Sequence, residues 1–230
     1  MCFIRPLIEV KLTEFLVLLQ DCVYYDADFL PHTEASEFYE TLWTETKWET
    51  TAKINRWVCL MTDDIESSYK YRDAPGESIP FSATVKLIQH RAEAWYKEKT
   101  RETVNFNVCL LNFYDSGQQR IGWHSDREEI GRTTPIASIS LGATRTFHIR
   151  AKENGVHDRA TLALTNGSLV LMENVCQLKY LHSVPREPNV TEGRINLTFR
   201  CKTDQTAGEE IHKQRDTYIG TIVDGVAPST

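Results

Sequence analysis

The sequence has no C-x-x-C pair, no internal repeat, no low-complexity tract and no long apolar run free of charge. Each absence closes a class. Six cysteines (Cys2, Cys22, Cys59, Cys109, Cys176, Cys201) are scattered singly along 230 residues, so neither a zinc ribbon nor a dense disulfide framework is indicated. A reducing compartment is the natural setting. The most apolar stretch near the start, Leu12 to Leu19, is broken by Glu14 and preceded by Glu9 and Lys11, which spoils both a signal-peptide core and a membrane span. An intracellular protein of the nucleus or cytoplasm, with no membrane partner, is expected. An overall basic excess is missing too: the net charge is −6 and the pI about 5.7, which argues against coating nucleic acid with the whole surface but leaves room for a local basic groove. Between Lys47 and Arg101 the balance reverses, with ten Lys or Arg against eight Asp or Glu.

What is present is an ordinary globular composition, 41% hydrophobic and 25% charged. The length suits one catalytic domain with an N-terminal elaboration. Leu12, Phe15, Leu16 and Leu19 fall at helical spacing and predict a short amphipathic helix. A strand is predicted over Val23 to Leu30, and a second helix over Thr33 to Trp43 with Thr33 as N-cap. Residues 48–82 read as irregular. A third helix is predicted over Val85 to Lys97, with Leu87, Arg91 and Ala94 on one side and Ile88 and Trp95 beside it. After about Val104 the chain turns to short β-type runs: Val104–Tyr114, Gly122–His124, Ile136–Leu141, Thr144–Arg150, Ala160–Leu164, Ser168–Met172 and Arg194–Cys201. Strands at this spacing mean a sandwich, jelly roll or barrel. The expected organisation is an N-terminal helical and substrate-lid region over 1–103, a catalytic core over 104–202 and a polar tail over 203–230.

In Trp123-His124-Ser125-Asp126, alternation at a strand end puts His124 and Asp126 on one side. His182 follows 56 positions after Asp126, at the close of an apolar, strand-like segment. Two histidines and one carboxylate bind a mid-series divalent metal on one face and leave other positions open, as in non-haem Fe(II) oxygenases; zinc with water is the chemical competitor. Spacing alone does not identify the third ligand. Read as a strand, Arg194 to Arg200 carries Arg194, Asn196, Thr198 and Arg200 on one face and Ile195, Leu197 and Phe199 on the other. The polar face either meets water or lines a barrel interior. In the second case its guanidinium groups need anions, and a dicarboxylate would satisfy them.

Jointly, Asn112-x-Tyr114, Trp123 to Asp126, the run Ile136 to Phe147, His182 and R-x-N-x-T-x-R from Arg194 to Arg200 resemble the AlkB family of Fe(II)/2-oxoglutarate-dependent dioxygenases, in particular its eukaryotic-type nucleic-acid dealkylases. The resemblance runs from about Asn107 through Cys201, with weaker similarity back to the segment near Tyr24. It implies an α+β, mainly β fold: a double-stranded β-helix, or jelly roll, with N-terminal helices packed against it. It implies His124, Asp126 and His182 as catalytic iron ligands, Arg194 and Arg200 as anchors for the carboxylates of 2-oxoglutarate, and Asn112, Tyr114 and Asn196 as its hydrogen-bonding partners. Fe(II), 2-oxoglutarate and O2 are then the cofactor and co-substrates.

For the substrate, the resemblance implies Glu128 facing the target base and Tyr69 and Tyr71 forming a lid that stacks on a flipped nucleotide. By pattern alone, Glu128 is also an exposed acid in a charged run, and Tyr69-Lys70-Tyr71-Arg72 is also an ordinary strand edge. The implied activity is oxidative demethylation of N-alkylated bases in DNA or RNA, releasing formaldehyde, CO2 and succinate, in DNA repair or RNA demethylation, with single-stranded nucleic acid or a flipped base as partner. Two alternatives stand beside it: the same oxygenase chemistry on a small metabolite or protein side chain, and a non-catalytic nucleic-acid-binding module that retains the fold. Arg145, within the family-like run, is open as a supporting residue. His32, His90, His148, His157 and His212 have no partners at ligand spacing and are read as solvated or locally hydrogen-bonded.

Overall fold

The computed structural model of the chain describes residues 16–19, 21–50, 54–63, 77–126, 135–153 and 158–202. Twelve strands and three helices follow one another among them as β1 Leu16–Leu18, β2 Val23–Asp26, α1 His32–Glu45, β3 Trp57–Thr62, β4 Ile79–Pro80, α2 Ala83–Thr100, β5 Val108–Tyr114, β6 Ile121–His124, β7 Ile136–Gly142, β8 Arg145–Ala151, β9 Arg159–Leu164, β10 Leu169–Met172, α3 Asn174–Lys179, β11 Tyr180–Val184 and β12 Arg194–Arg200. The strands form an eight-stranded sheet, in the order β1-β2-β10-β7-β12-β5-β3-β4, and a four-stranded sheet, β6-β11-β8-β9. All pairs are antiparallel except β3 with β4.

Period-two alternation divides the large sheet into two functional faces. Cys109, Leu111 and Phe113 of β5, Ala137, Ile139 and Leu141 of β7, and Ile195, Leu197 and Phe199 of β12 pack with Val85, Ile88, Ala92 and Trp95 of α2 and with Ala35 and Leu42 of α1. The residues between them point into the space between the sheets. Part of that space is apolar, filled by Ile136, Val170 and Met172 from one sheet and Phe147, Ile149, Leu162 and Val184 from the other. The rest is polar and becomes the site.

Helix α2 starts at Ser82, whose hydroxyl accepts from the Val85 N–H at 3.2 Å, and ends at Arg101 in the left-handed conformation, φ 69°. Its buried stripe is Val85, Ile88, Gln89, Ala92, Trp95 and Tyr96, so the inward side is the one that carries Ile88 and Trp95; Leu87 is 43% exposed. Arg91 instead reaches across to α1, where its Nη2 donates to Glu34 Oε1 at 2.6 Å. Helix α1 begins one residue after Pro31 with no side-chain cap, which places Thr33 inside the first turn rather than at the cap.

Leu16–Leu18 forms an edge strand and not the expected helix; residues 12–15 lie outside the described residues. Leu16 pairs with Tyr25 and Leu18 with Val23, and the turn between the strands uses positive φ at Leu19 and Asp21. A short apolar run satisfies either period, and pairing with β2 decides it. Strand β2 stops at Asp26, short of the expected Leu30. Residues 57–62, expected to be irregular, form β3, paired along its whole length with β5. The sheet therefore draws strands from both sides of residue 104. None of the described helices is long and apolar enough to cross a membrane.

Candidate active site

Strands β6 and β11 are hydrogen-bonded neighbours whose register sets His182 opposite His124. Asp126 lies two residues beyond His124, just past the end of β6. One ligand atom from each of His124, Asp126 and His182 lies within 4.8 Å of the others. The imidazole rings of His124 and His182 are 4.2 Å apart. His124 Nδ1 is 2.8 Å from the Gly122 carbonyl oxygen; donating its proton there leaves Nε2, 3.9 Å from Asp126 Oδ1, with a free lone pair. His182 stands mid-strand in β11, preceded by helix α3 instead of the extended segment expected before it.

The electrostatics keep His182 and Asp126 in ligating form. Burial pushes the His182 pKa down to about 3, with His124 adding to the effect, so this imidazole is neutral. Burial alone would raise the Asp126 pKa, but Arg200 and the two histidines more than offset it, and the carboxyl sits below its ordinary value. Arg200 Nη2 donates to Asp126 Oδ2 at 3.3 Å, while the Asp126 backbone N–H donates to Gln177 Oε1 of α3 at 2.9 Å. The donor set, two imidazole nitrogens and one carboxylate oxygen, fits a divalent metal with open positions. Among the described residues the buried His182 Nδ1 has no hydrogen-bond partner, consistent with a group reserved for something the chain does not itself supply.

Strands β5 and β12 supply the rest of the cavity. Their register sets Asn196 opposite Asn112 and Arg194 opposite Tyr114. All eight residues expected to hold metal or co-substrate line this one cavity, together with Arg56, Ser138, Thr198 and the apolar side chains of Phe147, Leu164, Met172 and Val184. Arg194 is 2% exposed; its Nη2 donates to Ser140 Oγ at 2.8 Å, its Nε has no partner, and its guanidinium lies 5.4 Å from the Tyr114 ring centre. Among the described residues no carboxylate pairs with it. Burial lowers its pKa to about 10, which leaves it fully charged near neutrality. A buried cation in that state requires an anion, and a carboxylate matches the guanidinium fork. The polar face of β12 thus lines the interior and does not meet water.

Arg145 is a positioning residue. Its Nε donates to Glu187 Oε2 at 2.8 Å, Nη1 to the Ser116 carbonyl at 3.2 Å, and Nη2 to the carbonyls of Gln119 and Pro185 at 2.8 and 2.7 Å. It fastens the chain entering β6 to the chain leaving β11, the two strands that bear the histidines. Arg56 was not anticipated: it sits just ahead of β3 and its Nε donates to Asn112 Oδ1 at 2.7 Å. No motif marks it, and only recognition of β3 as a strand beside β5 would have pointed to it. Tyr69, Tyr71 and Glu128 lie outside the described residues.

Two sheets enclosing an apolar-to-polar interior, with two histidines and a carboxylate converging beside buried arginine, define the class of double-stranded β-helix metal oxygenases. The profile of the 2OG-Fe(II) oxygenase superfamily matches residues 22–200. The chain is 33% identical over 193 residues to human alpha-ketoglutarate-dependent dioxygenase alkB homolog 3, covering 78% of this chain and 65% of that protein. It is 39% identical over 116 residues to the DNA oxidative demethylase ALKBH2 of Bos taurus, covering 45% of this chain and 42% of that protein. The chain thus matches less than two thirds of the length of these curated relatives. The solved structure of OsALKBH1 superposes with a TM-score of 0.56 at 21% identity, over 77% of this chain and 97% of that one, a likeness of fold. The chain belongs to the 2OG-Fe(II) oxygenase superfamily and, within it, to the AlkB family. The family's cofactor is Fe(II), and its co-substrates are 2-oxoglutarate and O2.

Proposed function

We propose that this chain is an Fe(II)/2-oxoglutarate-dependent dioxygenase that demethylates N-alkylated bases in DNA or RNA, releasing formaldehyde, CO2 and succinate. The observation that carries the reading is the meeting, in one cavity, of the His124-Asp126-His182 cluster with a buried arginine that has no carboxylate partner among the described residues. Relatives named as a DNA oxidative demethylase supply the substrate class.

His124, Asp126 and His182 would hold the metal. When bound, iron and 2-oxoglutarate together supply the oxidation that converts an N-methyl group to N-hydroxymethyl, which then falls apart to formaldehyde and the free amine. The chain's own groups do the positioning. Gly122 fixes the His124 tautomer, and Gln177 and Arg200 hold Asp126 oriented and ionised. Arg194 receives the far carboxylate of the co-substrate. Arg56 engages Asn112 Oδ1, which leaves the Asn112 amide nitrogen as a donor into the cavity. Phe147, Leu164, Met172 and Val184 keep the inner wall dry. Tyr69, Tyr71 and Glu128 are assigned to the base, and a reducing compartment of nucleus or cytoplasm suits the free thiols of Cys22, Cys59, Cys109, Cys176 and Cys201.

The test is succinate and formaldehyde release by the anaerobically purified protein given Fe(II), 2-oxoglutarate, O2 and N-methylated single-stranded oligonucleotides. Both products, dependent on the oligonucleotide, are expected. Succinate with no dependence on any oligonucleotide would move the substrate to small molecules or proteins, and no succinate under any condition would overturn catalysis.

A further inference from the structure

The outer face of the four-stranded sheet carries a cluster that chemistry inside the cavity does not use. The register of β6 on β11 shifts between Ile121 and His124, both of which line the cavity, while Trp123 between them lies on the outer face with His148 and is 42% exposed. His148 of β8 stacks on it, ring centres 6.2 Å apart and planes 24° from parallel, and the Arg150 guanidinium lies 4.3 Å from its ring centre. Thr161 of β9 holds His148 in turn, Oγ1 to Nδ1 at 3.0 Å. The indole is therefore fixed by contacts while a large part of its surface faces solvent.

Two arginines meet on this face. Register sets Arg150 of β8 directly opposite Arg159 of β9, so the two side chains share the outer side. Like charges so placed repel. Among the described residues neither has a carboxylate in an ion pair. A fixed, exposed indole bordered by two such arginines matches an unstacked base and its phosphates, the base on the aromatic surface and the anions on the guanidinium groups. An acidic peptide would engage the arginines and leave the indole unused.

We propose that Trp123, backed by His148 and Arg150, is a stacking platform for a nucleotide flanking the one presented to the cavity, with Arg150 and Arg159 holding the adjoining phosphates. The proposal rests on the nucleic-acid reading above. Strand β6 is an edge of its sheet, and Trp123 and His124 are neighbours on it. A single strand crossing that edge lays one base on the cavity side and its neighbour on the outer side.

The experiment uses the full chain with Fe(II) and 2-oxoglutarate and measures anisotropy of a labelled, N-methylated single strand of about ten nucleotides. Trp123→Ala is expected to weaken binding roughly 10-fold, from the loss of one base stack, and Trp123→Phe to restore most of it. Arg150→Gln with Arg159→Gln is expected to flatten the slope of log K against log salt by roughly 1.4, two phosphate contacts on a single strand. Turnover of the free N-methylated nucleoside stays at the wild-type level in each. If Trp123→Ala also loses nucleoside turnover, the neighbouring His124 has been disturbed, and Trp123→Phe with the arginine pair decides. The platform is overturned if Trp123→Ala and the arginine pair bind as wild type, or if an abasic strand of equal length binds as tightly, which would leave a face for polyanions such as acidic peptides. A wild-type chain that neither binds nor demethylates any oligonucleotide overturns the nucleic-acid reading as a whole.

Discussion

On the helix side of β12, Ile195, Leu197 and Phe199 are completely enclosed, and on the cavity side Arg194 and Arg200 are only 2% and 3% exposed. Burial is nearly equal, but its energetic sign is not. Enclosing a side chain such as Phe199 contributes about 1.5–3 kcal/mol to folding, whereas removing a cation from water costs several kcal/mol unless partners repay it. Arg194 donates to the Ser140 hydroxyl and lies against Tyr114, and among the described residues it forms no ion pair with a carboxylate. One face of the strand holds the protein together, and on the proposed reading the other is kept at the expense of stability so that Arg194 can grip an anion.

The contrast can be broken in four places. The largest expected effect is from His124→Ala: turnover falls at least about 1,000-fold while the melting temperature hardly moves, because His124 is partly exposed and anchors no core. Succinate release and circular dichroism check it, and full activity would remove His124 from the site. Next, Arg194→Met is expected to raise KM for 2-oxoglutarate about 100-fold, the loss of a charge-assisted pair worth roughly 3 kcal/mol. Its thermal stability should stay level or rise, since an unneutralised buried charge has become an apolar chain of similar reach. A marked drop in stability would show that the cation side also holds the fold. Phe199→Ala should do the reverse, costing about 3–5 kcal/mol in denaturant unfolding with activity per folded molecule retained; Phe199 packs on Phe81 and Phe106, each with ring centres 6.1 Å away. The smallest effect is from Ser82→Ala, about 1 kcal/mol from the lost cap of α2 and no change in turnover.

The site was more legible in the sequence than the sheet that carries it. His124 with Asp126, Asn112 with Tyr114, and Arg194 with Asn196 and Arg200 all sit at even spacing on strands, so each pair declares a shared direction before any fold is known. Convergence of the pairs needed registers between residues far apart in sequence, Asn112 with Asn196 (84 positions) and His124 with His182 (58 positions), and no local pattern encodes those. Strand β3 was missed because Trp57 to Met61 is apolar on both sides; a strand sandwiched between α-helical and interior layers loses the alternation that identifies a half-exposed one. That omission hid Arg56. Strand β1 was taken for a helix because a few apolar residues fit both periods, and α3 is too short to show a period at all.

The register of β11 on β6 also decides when the proposed metal site is complete. Until β11 has paired, the chain offers only His124 and Asp126, a two-ligand stub that competes poorly for a transition metal. The third ligand arrives by a contact between residues 58 positions apart in sequence, the kind that closes late because its loop entropy is surrendered first. On the proposed reading, metal capture then requires the paired sheet: a chain with β11 unpaired would be a poor carrier for a redox-active ion, and the centre would be assembled only once there are walls around it.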